Sequence, residues 1–165
     1  MHRVIAEAEA VEDLAFSNGM TSPPPVVAVL NSNDDTVEML AMMLEAEGMV
    51  AVTAHVSDLR RGKFDFAGFL AEHDPKVIVY DIPPPYDRSW LFFEHLKHLP
   101  SMKARNFVLT STNPQRVQQI AHPEQPIYEI IGKPYDLDAI VRAVDAAMER
   151  ARTGQPQRTE ESEDA

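Results

Sequence analysis

Short apolar runs alternate along the chain with stretches whose apolar residues recur at helical spacing. Val26-Val27-Ala28-Val29-Leu30 is unbroken, rich in β-branched residues and set between Pro25 and Asn31, and it reads as a buried strand. Asn33, Asp34 and Asp35 follow; these residue types cap a helix start and suit its positive end. Val37, Leu40, Ala41 and Leu44 share one face of that helix, and Gly48 stands where a left-handed residue would close it. Met39, Met42 and Met43 in the same helix are assigned to packing. Val50 to Ala54 reads as a second strand, 64–72 as a helix, and Val77 to Tyr80 as a third strand ending at Asp81. A helix from Trp90 to Leu99 would bury Phe92, Phe93, Leu96 and Leu99. Phe107-Val108-Leu109 is the fourth strand, 114–121 a short polar helix, and Ile127 to Ile131 the fifth strand. Leu137, Ile140, Val141, Val144 and Met148 mark a final helix.

Strands alternating with helices predict an α/β fold, a doubly wound five-stranded parallel sheet covered on both faces. Sites in such folds gather outside the carboxyl ends of the strands. The ordered domain is expected over 24–153. Residues 1–23 read as a leader, with a short marginal helix, and a proline-rich linker that enters the domain through Pro23-Pro24-Pro25. Residues 154–165 read as an acidic, disordered tail.

Charge narrows the function classes. The 165 residues carry a formal net charge of -11, which repels phosphate backbones and argues against nucleic-acid binding. The densest basic cluster, Arg60-Arg61-Gly62-Lys63, reads as a solvated loop. There is no cysteine, so disulfides, thiolate metal sites and cysteine nucleophiles are excluded. No apolar run approaches the roughly twenty residues of a membrane-spanning helix, and no secretory stretch opens the sequence. A cytoplasmic protein is the expectation.

At the carboxyl edge the strands deliver Asn31-Ser32-Asn33, Asp81, Thr110-Ser111 and Gly132-Lys133-Pro134. A carboxylate, a hydroxyl and an ammonium thus converge from separate parts of the chain. Asp81-Ile82-Pro83-Pro84-Pro85, Leu109-Thr110-Ser111, Ile130-Ile131-Gly132-Lys133-Pro134 and Leu44-Glu45-Ala46-Glu47-Gly48 together resemble the motifs of a response-regulator receiver domain of two-component signalling. The resemblance spans about 24–153. It implies the flavodoxin-like receiver fold with strand order 2-1-3-4-5, a phosphoacceptor at Asp81, a switch hydroxyl at Thr110, and a phosphate-binding ammonium at Lys133 before a cis peptide bond to Pro134. It implies a signalling module, not an enzyme.

The sequence departs from that pattern at two places. Counting back from Gly48, the family's acidic pair falls on Asn31 and Ser32, while Asp34 and Asp35 lie two or three residues too far along. The switch aromatic falls on Ile130, with Tyr128 one strand step further back. Magnesium wants near-octahedral oxygen ligation, usually with one or two carboxylates. Here only Asp81 brings charge, and Asn31, Ser32 and the Pro83 carbonyl are neutral. No cofactor is expected, with weak Mg²⁺ binding at most, and Asp81 is expected to pair with Lys133. The leading expectation is a stand-alone atypical receiver that signals by protein contact, with weak or no metal-dependent phosphorylation of Asp81. Its partner would be a histidine kinase or a downstream signalling protein, docked over 113–153, and a homodimer could use the same surface. The alternative is an ordinary phosphorylatable receiver or phosphoryl shuttle. A flavin-type enzyme is disfavoured because Asn31-Ser32-Asn33-Asp34-Asp35 has no glycine and two acids. His95 and His98 share a helix face without a supporting carboxylate set, and read as solvated.

Overall fold

The computed structural model describes residues 22–121, 129–132 and 136–154. The expected leader helix, the tail, Tyr128, Lys133 and Pro134 lie outside them. In chain order the elements are β1 (Val26–Asn31), α1 (Asp34–Ala46), β2 (Val50–His55), α2 (Val56–Arg60), α3 (Phe66–His73), β3 (Val77–Asp81) and α4 (Tyr86–Lys97). A 3-10 turn (Pro100–Met102), β4 (Asn106–Ser111), α5 (Pro114–Ile120), β5 (Glu129–Gly132) and α6 (Leu137–Thr153) complete the fold. The five strands pair in parallel in the order β2-β1-β3-β4-β5. This is the doubly wound sheet that the alternation of strands and helices dictates.

Side-chain alternation along each strand sorts the interior into two cores. Val27, Val29, Val77, Val79 and Val108 face Leu40 and Leu44 of α1 and Ile140, Ala143, Val144 and Ala147 of α6. Ala28, Leu30, Ile78, Tyr80, Phe107 and Leu109 face the other way. There they meet Leu70 of α3, Trp90, Phe93 and Leu96 of α4, and Val117 of α5. Phe93 centres the second core, with ring centroids 5.1 Å from Tyr80, 5.4 Å from Trp90 and 5.2 Å from Phe107. Such offset and edge contacts add to area burial.

Four helices start on the same device. Asn33, Asp65, Asn113 and Asp136 each accept, through the side chain, the N–H of the residue three further on. This satisfies a donor that the helix cannot pair internally. Gly48, with φ of 82°, follows the capping residue Glu47 at the end of α1 and takes the left-handed conformation that only glycine adopts cheaply.

Several expectations are corrected. Helix α4 begins at Tyr86 instead of Trp90, directly after Pro85; its first turn is polar and carries no apolar period. Helix α2, unforeseen, ends on Arg60, which is exposed, as are Arg61, Gly62 and Lys63; its guanidinium donates to Ser89 Oγ at 3.1 Å and lies 5.2 Å from the Phe92 ring centre. Helix α3 starts at Phe66 because Asp65 caps it. The described part of the fifth strand runs from Glu129 to Gly132, with Ile127 outside the described residues. In α6 the small residues Ala143 and Ala147 are buried, while Leu137 is exposed. Of the three α1 methionines assigned to packing, only Met43 packs against the core; Met39 and Met42 are exposed.

Candidate functional site

The first core continues upward into polar side chains. Val27 and Val29 are followed on their face by Asn31, Val77 and Val79 by Asp81, and Val108 by Thr110. Asp81 pairs in register with Thr110, and Asn31 lies one step beyond the Leu30–Tyr80 pair, level with Asp81. The sheet thus sets an amide, a carboxylate and a hydroxyl side by side across β1, β3 and β4. All three are buried.

Burial of a carboxylate demands hydrogen bonds. Thr110 Oγ1 donates to Asp81 Oδ1 at 2.8 Å within the interior. The Ile82 N–H donates to the Thr110 carbonyl at 2.8 Å, carrying the β3–β4 pairing one residue past the strand end. Ser111, of opposite parity, turns to the other core: its hydroxyl donates to the Ile82 carbonyl at 3.0 Å and accepts the Asn113 N–H at 3.2 Å. Next to Asp81 in the chain, burial pushes the Tyr80 phenol far above its ordinary value, so it stays neutral.

The loop at the end of β1 is set by side-chain turns. Asn31 Oδ1 accepts the Asn33 N–H at 3.0 Å, and Asn33 Oδ1 accepts the Thr36 N–H at 2.9 Å. Ser32 is exposed on the bend between them. Asp34 and Asp35 are exposed in the first turn of α1. The Asp34 carboxylate lies 2.7 Å from His55 Nε2, at the end of β2. Strand β1 lies between β2 and β3, so Asp34 is drawn away from Asp81.

On the other side of Asp81, Pro83 is half-buried and the Pro84–Pro85 peptide is cis. Two links join the start of α4 to the β4–α5 connection. Tyr86 OH and Thr112 Oγ1 share a hydrogen bond of 2.6 Å. Arg116 donates to both Asp87 oxygens at 3.2 Å. No sequence signal could have found these contacts, since partners 26 and 29 residues apart carry no shared period.

The structure therefore brings Asp81, Thr110 and Asn31 together, and leaves Ser32 on the surface. Lys133, the expected ammonium, and its bond to Pro134 lie outside the described residues, as does Tyr128; Ile130 falls in β5. His95 and His98 are exposed. The donors for a divalent ion would be one Asp81 oxygen, the Asn31 amide oxygen and the Pro83 carbonyl, a set with a single charge. Among the described residues no group of three or more His, Asp or Glu side chains could hold a metal ion. This donor chemistry fits Mg²⁺ poorly.

No protein-family model matches the chain, and no curated protein matches it significantly. Solved structures do. A response regulator receiver protein from Pseudomonas putida aligns with a TM-score of 0.59 at 17% identity, over 76% of this chain and 99% of its own. A sensor protein from a Polaromonas species aligns with a TM-score of 0.61 at 18% identity, over 78% of this chain and 99% of its own. The anti-anti-sigma factor PhyR from Bartonella quintana gives a TM-score of 0.59 at 12% identity, over 92% of this chain and 57% of its own. The fold is that of response-regulator receiver domains. Among the described residues no helix is long and apolar enough to cross a membrane.

Proposed function

We propose that this chain is an atypical receiver that signals by protein contact, with weak or no metal-dependent phosphorylation of Asp81. One observation carries the reading: of the three side chains set together at the ends of β1, β3 and β4, only Asp81 is charged. The nearest acid in the chain to Asn31, Asp34, is held by His55. In phosphoryl transfer to a carboxylate, an Asp oxygen attacks phosphorus while the bond to the donor's leaving atom, the imidazole nitrogen of a phosphohistidine or the oxygen of acetyl phosphate, breaks and that atom keeps the electron pair. The developing charge needs a cationic clamp. Without a competent metal site, several kcal/mol of that stabilisation is missing, on the order of a hundredfold or more in rate.

In this reading Thr110 and Lys133 serve Asp81 as structural partners, and the domain works in one conformation. Its output is a partner, a kinase or a downstream signalling protein, bound over the surface that resemblance assigns to 113–153. Cytoplasmic location follows from the same role.

The test is a titration with acetyl phosphate, and separately with beryllofluoride, in Mg²⁺ buffer. Intact mass and the amide resonances of 110–117 are the readouts. No saturable response is expected. A saturable response at millimolar or lower concentration, abolished in Asp81→Asn, makes the chain an ordinary phosphoacceptor and overturns the reading.

A further inference from the structure

A cluster of cations on this acidic protein has no carboxylate partner among the described residues. Arg60 ends α2, Arg61 and Lys63 follow it, and Arg88 stands in α4; all four are exposed. None of them forms an ion pair with a described residue, whereas Lys76, Arg105, Arg116, Arg142 and Arg152 each meet an acid. Arg60 ties the two parts together through its hydrogen bond to Ser89 and its place over the Phe92 ring. Arg88 and Leu91 lie beside those two residues, one turn apart on the outer side of α4. Leu91 is 65% exposed. No acid occurs over 60–63 or 88–92, and Asp87 is held by Arg116. A single exposed leucine needs no explanation. Here it stands among cations that the protein's own acids leave unpaired, in a chain of net charge -11.

The surface selects an occupant that brings apolar residues and acids together. Residues 1–20 do so: Val4, Ala8, Val11, Leu14 and Ala15 recur at helical spacing, with Glu7, Glu9, Glu12 and Asp13 among them. A helix of that length needs a partner surface to be stable. The tail after Gly154 has acids but no large apolar residue, and it leaves from α6, which packs on the opposite face of the sheet from α4. A phosphate backbone would meet the net negative charge and offer nothing to Leu91. Helix α4 runs from the carboxyl edge of the sheet back toward the amino edge, where β1 begins. Extended, 16–25 would reach up to roughly 33 Å, about the diameter of a small domain, so the leader can lie along α4. Tethering raises its local concentration to the order of millimolar. We infer that the surface of Arg60, Arg61, Lys63, Arg88 and Leu91 is the docking site of the chain's own acidic leader, residues 4–15. This does not depend on whether Asp81 is phosphorylated.

The test uses the full chain, which has no cysteine, with a nitroxide on Ala6→Cys, on the side of the helical period away from Val4, Ala8 and Val11. Paramagnetic broadening of backbone amides is the readout. The expected result is loss of the amide signals of 60–63 and 88–92, with recovery as salt rises. Leu91→Glu and the double variant Arg61→Glu/Arg88→Glu should each restore those signals, and Arg142→Glu, on α6, should not. Glu7→Lys/Glu12→Lys should restore them too, and combining it with Arg61→Glu/Arg88→Glu should remove them again. Every substituted domain residue is exposed, and unchanged far-UV circular dichroism would verify the fold of each variant. The inference is overturned if the nitroxide leaves 60–63 and 88–92 sharp, or if the broadening there survives in both Leu91→Glu and Arg61→Glu/Arg88→Glu. An isotope-labelled chain without the nitroxide, mixed with an unlabelled chain that carries it, should stay sharp. Equal broadening in that mixture would make the leader of a second copy the occupant and would also overturn the inference.

Discussion

Thr110→Val is the sharpest probe of the site. Valine keeps the shape of threonine, so no cavity opens, and the only loss is the hydroxyl that donates to Asp81 Oδ1 at 2.8 Å. Thr110 is 0% exposed and Asp81 3%, so water cannot replace the missing donor. A hydrogen bond to a charged group contributes about 1.5–3 kcal/mol, and leaving a buried acceptor short is costlier than losing an exposed pair. Thr110→Val should therefore destabilise the fold by about 2 kcal/mol, a fall in Tm of roughly 4–8 °C for a chain of this size. Urea unfolding at neutral pH measures it. The same substitution in an Asp81→Ala background should be neutral or slightly stabilising, because the hydroxyl then has lost its buried acceptor. Whatever else holds Asp81 cancels in that cycle. A coupling energy below about 0.5 kcal/mol would refute the claim that Thr110 is energetically tied to the carboxylate.

Four further outcomes follow from the packing. Arg105, half-buried, donates to the carbonyls of Ser101, Pro75 and Leu70 and to Asp74; Arg105→Met should cost about 2–4 kcal/mol in urea unfolding, because the Ser101 and Pro75 carbonyls lose that donor, while the Leu70 carbonyl keeps the Asp74 N–H. Hydrogen bonds from Lys76 and then Arg105 hold the Asp74 carboxyl below its ordinary 3.8, so its contribution is complete above that pH and is lost as pH falls through the lowered value. Asp74→Asn, which suits the left-handed φ of 44° there, should destabilise by only tenths of a kcal/mol at pH 7, Asp74 being 60% exposed, and the gap should close in acid unfolding. Asn33→Ala removes the α1 cap and should cost about 1 kcal/mol by thermal melting. Gly48→Ala meets no side chain within 4 Å yet must hold a φ of 82°, and should cost about 1 kcal/mol by the same measurement.

The legibility of this fold in its sequence depended on burial. Strands β1, β3 and β4 were plain because each carries an unbroken apolar run, whereas Thr53 interrupts β2 and Glu129 falls in β5; strand parity then settled which residues reach the site. Where the chain is polar, the period disappears. The first turn of α4, Tyr86-Asp87-Arg88-Ser89, carries no apolar stripe, and its start is marked only by the end of the proline run. Helix α2 spans five residues, too few for a period to register. Arg60 is exposed as expected, but its contacts with Ser89 and Phe92 could not be read, because these partners lie about thirty residues away in sequence. The methionines misled for a related reason: composition cannot say which side of a helix is core when both sides are apolar.

The site was legible in a different way. Parity alone predicts that Asn31, Asp81 and Thr110 share a face, but it cannot say where Asp34 points. That is decided by two successive side-chain turns. Asn31 holds the Asn33 N–H and Asn33 holds the Thr36 N–H, so α1 starts at Asp34 with no slack in the connection. His55 then fixes the Asp34 carboxylate at the end of β2. Strands β2 and β3 flank β1, and two strand spacings amount to roughly 10 Å, several times a metal–oxygen bond. Bringing Asp34 to Asp81 would require breaking both turns and the His55 contact together. An amide at the end of β1 is therefore what Asp81 meets on that side, and the charge balance of the site follows from the loop that places it.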